Sequence, residues 1–370
     1  MKICVLAGAN SVHTVKWVNA FKKRGLNVIL VTLHKPLSGI SNGIKIYRLP
    51  FPAPIGYFFN IFLFKKILKK EKPDILNVHY ASGYGTLARL SKFHPLILNV
   101  WGSDVYEFPD TSFLHKNILL KNLYNSDYLC STSKIMAERV KHIWPTIPNI
   151  FITPFGVDCK IFLPESSNLI ENKPIVIGTV KSLAPKYGIT TLVKAFYEAK
   201  RKVSNHDLDI ANKMRLRIVG EGPQLNEIKN LIKDLNLNSI ASIKGTIAND
   251  KVPYELRNFD IYCAFSESES ESFGVAIIEA SACGIPVIVN KIGGLAEVTI
   301  DKVTGIQVEK GNIHDASEAI LKLVLNKQLR LEMGKSGRDF VLNNFDWDDN
   351  VDKMIGILQQ GYNNFALNKI

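Results

Sequence analysis

Short apolar runs alternate along the chain with longer amphipathic ones. Residues 2–6, 27–33, 44–49, 75–79, 96–100, 128–131 and 150–153 are dominated by Val, Ile, Leu and aromatic side chains, the composition of strands buried in a sheet. Between them, residues 12–24, 61–70, 84–92, 114–124 and 134–143 repeat apolar positions at helical spacing. Ser11 is placed to cap the first of these helices and Gly25 to end it. Strand and helix in regular alternation predict a parallel sheet covered by helices on both faces. The alternation lapses over residues 159–173, where Pro164, Ser166, Ser167 and Asn168 read as a linker. It then resumes with strands at 175–180, 215–219, 241–244, 261–265 and 286–290. Helices are expected at 189–200, 225–235, 273–283, 313–325, 329–340 and 347–362. The pattern predicts two doubly wound α/β domains, residues 1–165 and 166–345, followed by a terminal helix over 346–370. Ligands of such sheets bind beyond the C-terminal ends of the strands, so two domains facing one another would enclose a cleft.

Composition narrows the classes. With 46% hydrophobic and 22% charged residues in 370, the chain reads as globular. No run of 18 apolar residues is present, and Met1-Lys2-Ile3-Cys4-Val5-Leu6 reads as a first strand, not a signal peptide. Five scattered cysteines without a Cys-x-x-Cys pair suit a reducing, cytoplasmic setting and speak against structural zinc.

Charge is unevenly distributed. Residues 1–165 carry 21 Lys and Arg against 9 Asp and Glu, and residues 166–370 carry 25 against 25, so the net charge of +12 lies entirely in the first half. A basic half suits nucleic acid, anionic lipid or a phosphorylated substrate. No nucleic-acid module is recognisable, which leaves the other two. Residues 55–70, with Tyr57, Phe58, Phe59, Phe62 and Phe64 followed by Lys65, Lys66, Lys69 and Lys70, have the make-up of a helix lying in a membrane interface. A core-packing helix with a solvated lysine face is the alternative.

The chemistry concentrates in the second half. In Glu271-Ser272-Phe273-Gly274-Val275-Ala276-Ile277-Ile278-Glu279 two carboxylates bracket the start of an expected helix. Free N–H groups at a helix N-terminus favour phosphate, and a carboxylate beside them accepts from sugar hydroxyls. Lys181 and Lys186 follow the first strand of the second domain, where two cations can neutralise a diphosphate. Val219-Gly220-Glu221-Gly222-Pro223 lets backbone approach a ligand, and Ile292-Gly293-Gly294-Leu295-Ala296-Glu297 is a Gly-rich turn entering a short helix. A dinucleotide-dependent oxidoreductase is excluded. It needs Gly-x-Gly-x-x-Gly after the first strand and an acid closing the second, where this chain has Gly8-Ala9-Asn10-Ser11-Val12-His13 and Leu33-His34. Asp207-Leu208-Asp209 matches a metal-binding Asp-x-Asp in form but lies far from these motifs in sequence.

Taken together, Gly-x-Gly-Pro, Glu-Ser-Phe-Gly-(x)4-Glu-Ala, Ala-Cys-Gly-x-Pro-Val and Gly-Gly-x-x-Glu resemble, in order and spacing, the retaining family 4 glycosyltransferases of GT-B architecture. The resemblance is strong across the second domain. In the first it rests on Gly8, the Gly25 region and Pro154-Phe155-Gly156-Val157-Asp158, and Phe345-Asp346-Trp347 looks like the start of the family's terminal helix, which packs back on the first domain.

The resemblance implies transfer of a sugar from a nucleotide-diphosphate sugar to an acceptor hydroxyl in polysaccharide or glycolipid assembly, without a metal or other cofactor. Glu271 would meet the sugar hydroxyls, the backbone of Phe273, Gly274 and Val275 the sugar and diphosphate, and Glu279 the ribose. Lys181 and Lys186 would hold the diphosphate, Gly220 and Gly8 would admit it, and Ile247 and Asn249 would lie at the nucleobase. The family's usual His-Gly in the first domain is replaced by Trp101-Gly102, so a catalytic histidine does not carry over. His13, His79, Trp101 and Asp104 are the acceptor-side candidates, each with a structural role as its alternative. A nucleotide-sugar epimerase or a phosphorylase on the same architecture is the competing reading. The expected partners are the donor and a sugar or lipid-linked acceptor, to which the aromatic and basic stretch 55–70 adds an anionic membrane surface, with the enzyme cytoplasmic or peripheral on the inner face of the cell membrane.

Overall fold

A computed structural model describes residues 1–147, 149–165, 173–268 and 271–367. Part of the expected linker, residues 166–172, lies outside these. The chain forms two compact units. The first is Met1–Phe155 together with the chain from Asp348 on, and the second is Gly156–Trp347.

The first unit is built on seven strands: β1 (Lys2–Leu6), β2 (Asn27–Thr32), β3 (Lys45–Arg48), β4 (Ile75–His79), β5 (Leu96–Val100), β6 (Tyr128–Ser131) and β7 (Ile150–Ile152). They run parallel in the order β3-β2-β1-β4-β5-β6-β7. The core joins Leu6, Val31, Val78 and Leu98 of the strands to Phe64, Leu87, Leu119 and Val140 of the helices. A three-way contact closes the N-terminal end of the sheet, where Glu71 takes Lys2 at 2.8 Å and Lys45 at 2.5 Å and accepts from the Tyr47 hydroxyl.

The second unit has six parallel strands, β8 (Ile175–Val180), β9 (Met214–Val219), β10 (Ala241–Lys244), β11 (Ile261–Ala264), β12 (Val287–Asn290) and β13 (Gly305–Val308), in the order β10-β9-β8-β11-β12-β13. Helix Ile189–His206 buries Ile189, Leu192, Val193, Phe196, Ala199 and Val203. That is the i, i+3, i+4, i+7 stripe of an amphipathic helix laid on a sheet. Both units are thus doubly wound, each with a point where the strand order reverses, between β1 and β4 and between β8 and β11. In open α/β sheets such points are where ligands bind.

Several expected elements differ at their limits. The helix expected over 273–283 spans only Val275–Ala282, because Gly274 adopts φ 81 and serves as its N-cap. Glu279 therefore sits one turn into the helix instead of two. Strand β13 had not been anticipated. Its Gly and Gln give a weak apolar signal, and it closes the sheet edge beside β12. Residues 208–213, where the pattern places no helix, form helix Leu208–Lys213, whose first turn is capped by Asp207 accepting from the Ile210 N–H at 2.9 Å. The Asp-x-Asp match is thus used, at its first carboxylate, as a helix cap.

The terminal helix, Trp347–Leu367, packs on the first sheet. Arg24 pairs with Asp348 at 3.0 Å and with Asp352, Asn364 donates to the Tyr128 hydroxyl at 2.7 Å, and Gly361 lies against Ile97 and Tyr128.

Candidate active site

At the switch point of the second sheet, the loop after β8 carries Lys181 and Lys186 and the loop after β11 carries Glu271. The two strands are neighbours, with Tyr262 opposite Gly178. This adjacency brings together residues 90 positions apart: the Lys181 ammonium donates to Glu271 Oε1 at 2.7 Å. The pair is mostly enclosed, the side chains 22% and 15% exposed. Ser266 donates to the other Glu271 oxygen at 3.5 Å, and Asn290 fixes Ser266 through its carbonyl at 3.0 Å.

Burial pulls the Lys181 pKa down, but the Glu271 carboxylate and the nearby Tyr262 and Tyr187 outweigh it, so it ends above the ordinary lysine value. The ammonium is therefore charged at any physiological pH. A lysine has three donors, so the bond to Glu271 leaves capacity for a further anion.

Two tyrosines join the site that sequence reasoning had not singled out. Tyr187 stands between the lysines, with Lys181 Nζ 4.6 Å and Lys186 Nζ 5.2 Å from its ring. Tyr262 is fully buried and donates to the Val180 carbonyl at 3.2 Å. Burial raises its phenol pKa. Lys181 pulls it back, and the Glu279 carboxylate pushes it up again, so Glu279 and Lys181 both act on this phenol. In sequence these tyrosines are indistinguishable from core and turn aromatics.

Glycines set the loops. Gly220, at φ 143, packs so closely that a Cβ there would collide with the Lys181 carbonyl. Around it, the Lys181 N–H bonds Val219 O at 2.9 Å and the Leu183 N–H bonds Glu221 O at 2.9 Å. Gly220 thus shapes the loop that carries Lys181 through its backbone. Gly294 plays the matching part below the other loop, its N–H bonding Glu271 O at 3.0 Å while a Cβ would overlap the Phe273 backbone. Phe273 itself is buried, edge-on to Phe345 at 5.5 Å, leaving the Gly274–Val275 backbone to open the helix. Ile247 and Asn249 lie in the loop after β10, on the same sheet edge. Ile247 is half-buried and Asn249 is exposed. Among the described residues, no group of three or more His, Cys, Asp or Glu side chains is arranged to hold a metal ion.

In the first unit the candidates gather at the ends of β1, β4 and β5. The His13 ring stacks on Phe155 at 4.2 Å, His79 lies 4.3 Å from Trp101, and Trp101 meets Phe155 edge-on at 5.1 Å. His79 is buried at the end of β4, with Nε2 3.5 Å from the Asn77 amide. Asp104 accepts backbone N–H bonds from Ala81, Gly102 and Trp101 at 2.8, 2.8 and 3.1 Å. Its carboxylate is occupied in bracing the loops after β4 and β5, a positioning role. A Cβ on Gly8 would lie 2.9 Å from Asn10 Oδ1 and in ordinary contact with His34, whose Nδ1 bonds the Tyr84 hydroxyl at 2.7 Å.

Both histidines are held neutral. Burial, then the His13 charge, lowers His79 to about 3, and burial, then Lys16, lowers His13 to about 4. An unfolded chain binds those protons near the ordinary imidazole value of 6.5. Stability from each group is therefore complete above that pH and declines as pH falls toward 4 and 3, by about 1.4 kcal/mol per pH unit per histidine. We expect the melting temperature to drop from pH 6.5 to 4.5, and the drop to be shallower in His79→Gln. An identical pH profile for the two proteins would show that His79 does not drive it.

Residues 2–133 match the family model "Glycosyl transferase 4-like" and residues 164–340 match "Glycosyl transferases group 1". The chain belongs to this family: it is a glycosyltransferase of the hexosyltransferase type, with the GT-B pair of Rossmann-like domains. An uncharacterized glycosyltransferase, MJ1178, of Methanocaldococcus jannaschii is 29% identical over 301 residues, covering 80% of this chain and 78% of that one. The GDP-mannose-dependent alpha-(1-6)-phosphatidylinositol monomannoside mannosyltransferase of Mycobacterium tuberculosis is 27% identical over 247 residues, 63% of this chain and 62% of the relative. Among solved structures, Anabaena HepE in complex with UDP superposes with a TM-score of 0.82 at 15% identity, covering 97% of this chain and all of that one.

Proposed function

We propose that this glycosyltransferase moves a sugar from a nucleotide-diphosphate sugar to an acceptor hydroxyl with retention of anomeric configuration, in the assembly of a glycolipid or polysaccharide. The observation that carries the reading is the Lys181–Glu271 pair at 2.7 Å, at the switch point of the second sheet and ahead of helix Val275–Ala282. Two relatives support the donor class, one GDP-mannose-dependent by name and one solved with UDP. They differ in nucleobase, and so agree only on the diphosphate.

In this reading the diphosphate lies against Lys181, Lys186 and the free N–H groups of the helix. The sugar–phosphate bond breaks, the sugar–acceptor bond forms on the same face, and the acceptor proton passes to the departing phosphate oxygen. Fixed cations stabilise the charge that develops there, so the residues present supply the electrostatics without a resident metal. Glu271 holds Lys181 in place and accepts from sugar hydroxyls, and Glu279 accepts from the ribose. Ile247 and Asn249 flank the nucleobase. The first domain, 1–165, takes the acceptor near His13, His79 and Trp101.

The test is incubation of the purified protein with a panel of nucleotide sugars, measuring nucleoside diphosphate release and, by NMR, the anomer transferred. Release with retained configuration is expected. An inverted product would overturn the retaining mechanism, and a donor merely isomerised would establish an epimerase.

A further inference from the structure

The first unit carries, from the C-terminal edge of its sheet along the helix that runs back toward the N-terminal end, a surface that donor chemistry does not use. After β3 the chain turns at Phe51 into helix Gly56–Phe59 and then helix Ile61–Glu71. Phe58, Phe59 and Phe62 are 49%, 65% and 83% exposed. The helix already buries Phe64, Ile67 and Leu68, so its core face is satisfied and the outer rings are surplus to folding. Beyond them, Lys65, Lys66, Lys69 and Lys70 are all exposed. Glu71, which ends the helix, is turned inward to Lys2 and Lys45. On the inner side, Tyr57 meets the Tyr84 ring edge-on at 5.2 Å, and the Tyr84 hydroxyl bonds His34 Nδ1 at 2.7 Å, beside Gly8. The exposed rings are thus one layer of side chains from the loop after β1, at the switch point of this sheet.

We propose that this surface docks the first domain on an anionic lipid bilayer, the phenylalanine rings entering the acyl boundary and the lysine row meeting the headgroups. It would thereby bring a lipid-borne acceptor to the loops after β1 and β4. The acceptor role rests on the glycosyl-transfer reading, whereas the docking does not. Apolar rings leading into a row of cations fit a bilayer, whose acyl region and anionic headgroups lie in adjacent layers. The domain's excess positive charge adds long-range attraction. Symmetric pairing with a second copy would set that positive charge against itself.

The test uses the full chain, sedimented with vesicles of phosphatidylcholine alone or mixed equally with phosphatidylglycerol. Wild type is expected to pellet with the mixed vesicles, and less so as salt shortens the screening length. The double variant Phe59→Asp/Phe62→Asp is expected to bind at least about tenfold more weakly, with unchanged melting temperature and unchanged donor hydrolysis in solution. Equal pelleting by the variant, or no pelleting of wild type with mixed vesicles, would overturn the proposal. So would a wild-type dimer that the variant converts to monomer, since a second copy would then cover the face. Vesicle binding by a protein that hydrolyses no nucleotide sugar would support the docking surface and overturn the transfer reading alone.

Discussion

Glu271→Ala is expected to lower sugar transfer by about a thousandfold, the scale of removing a preorganised charge partner from a developing anion. Two losses combine. The carboxylate no longer accepts from the sugar, and Lys181 loses the partner at 2.7 Å that keeps its ammonium both charged and oriented. Without Glu271 the dominant influence on Lys181 is burial, which favours the neutral amine. Activity remaining in Glu271→Ala should therefore fall off at a lower pH than in wild type, as Lys181 deprotonates. Glu271→Gln separates the parts: the amide can still accept from Lys181, so orientation survives while charge is lost. Lys186→Ala, at an exposed position, should cost activity without loss of fold. Steady-state transfer, with circular dichroism as the control, decides the matter, and near-full activity in Glu271→Ala would remove the site assignment.

Gly220→Ala should destabilise the second domain although it adds only one methyl group. The residue holds φ 143, a conformation L side chains rarely adopt, and its missing Cβ makes room for the Lys181 carbonyl. Strain and collision together should cost about 3 kcal/mol, a fall in melting temperature on the order of 10 °C for a domain of this size. Donor affinity should drop with it, because the displaced segment carries Lys181. Gly356→Ala is the control. Nothing lies within 4 Å of its ideal Cβ, and alanine in a helix should be neutral or stabilising by up to about 1 kcal/mol. A stable, donor-binding Gly220→Ala protein would contradict the account of this loop.

The fold was legible because buried parallel strands leave unbroken apolar runs. β1, β4, β5 and β8 have the limits that the hydrophobic pattern predicts. Elements defined by contacts were not legible. Strand β13 shows only Gly305-Ile306-Gln307-Val308, and its identity comes from pairing with β12. At the candidate site, the candidate residues were named one by one from glycine spacing, charge and the family resemblance. That Lys181 and Glu271 pair could not be, since it depends on β8 lying beside β11. Tyr187 and Tyr262 were invisible because a ring that gathers cations reads in sequence like one that fills a core. Asp104 was an acceptor-side candidate with a structural role as its alternative, and its backbone bonds match that alternative.

The first unit is discontinuous in the chain: its last helix begins near Asp348, after the whole second unit. A ribosome therefore releases the first sheet long before the helix that covers Ile97 and Tyr128 exists. During that interval the surface of β5 and β6 around Ile97 and Tyr128 lacks the helix that packs on it. A chain cut off just after Phe345 should keep both sheets yet remain prone to aggregate, so errors late in translation would be far more costly than their position suggests.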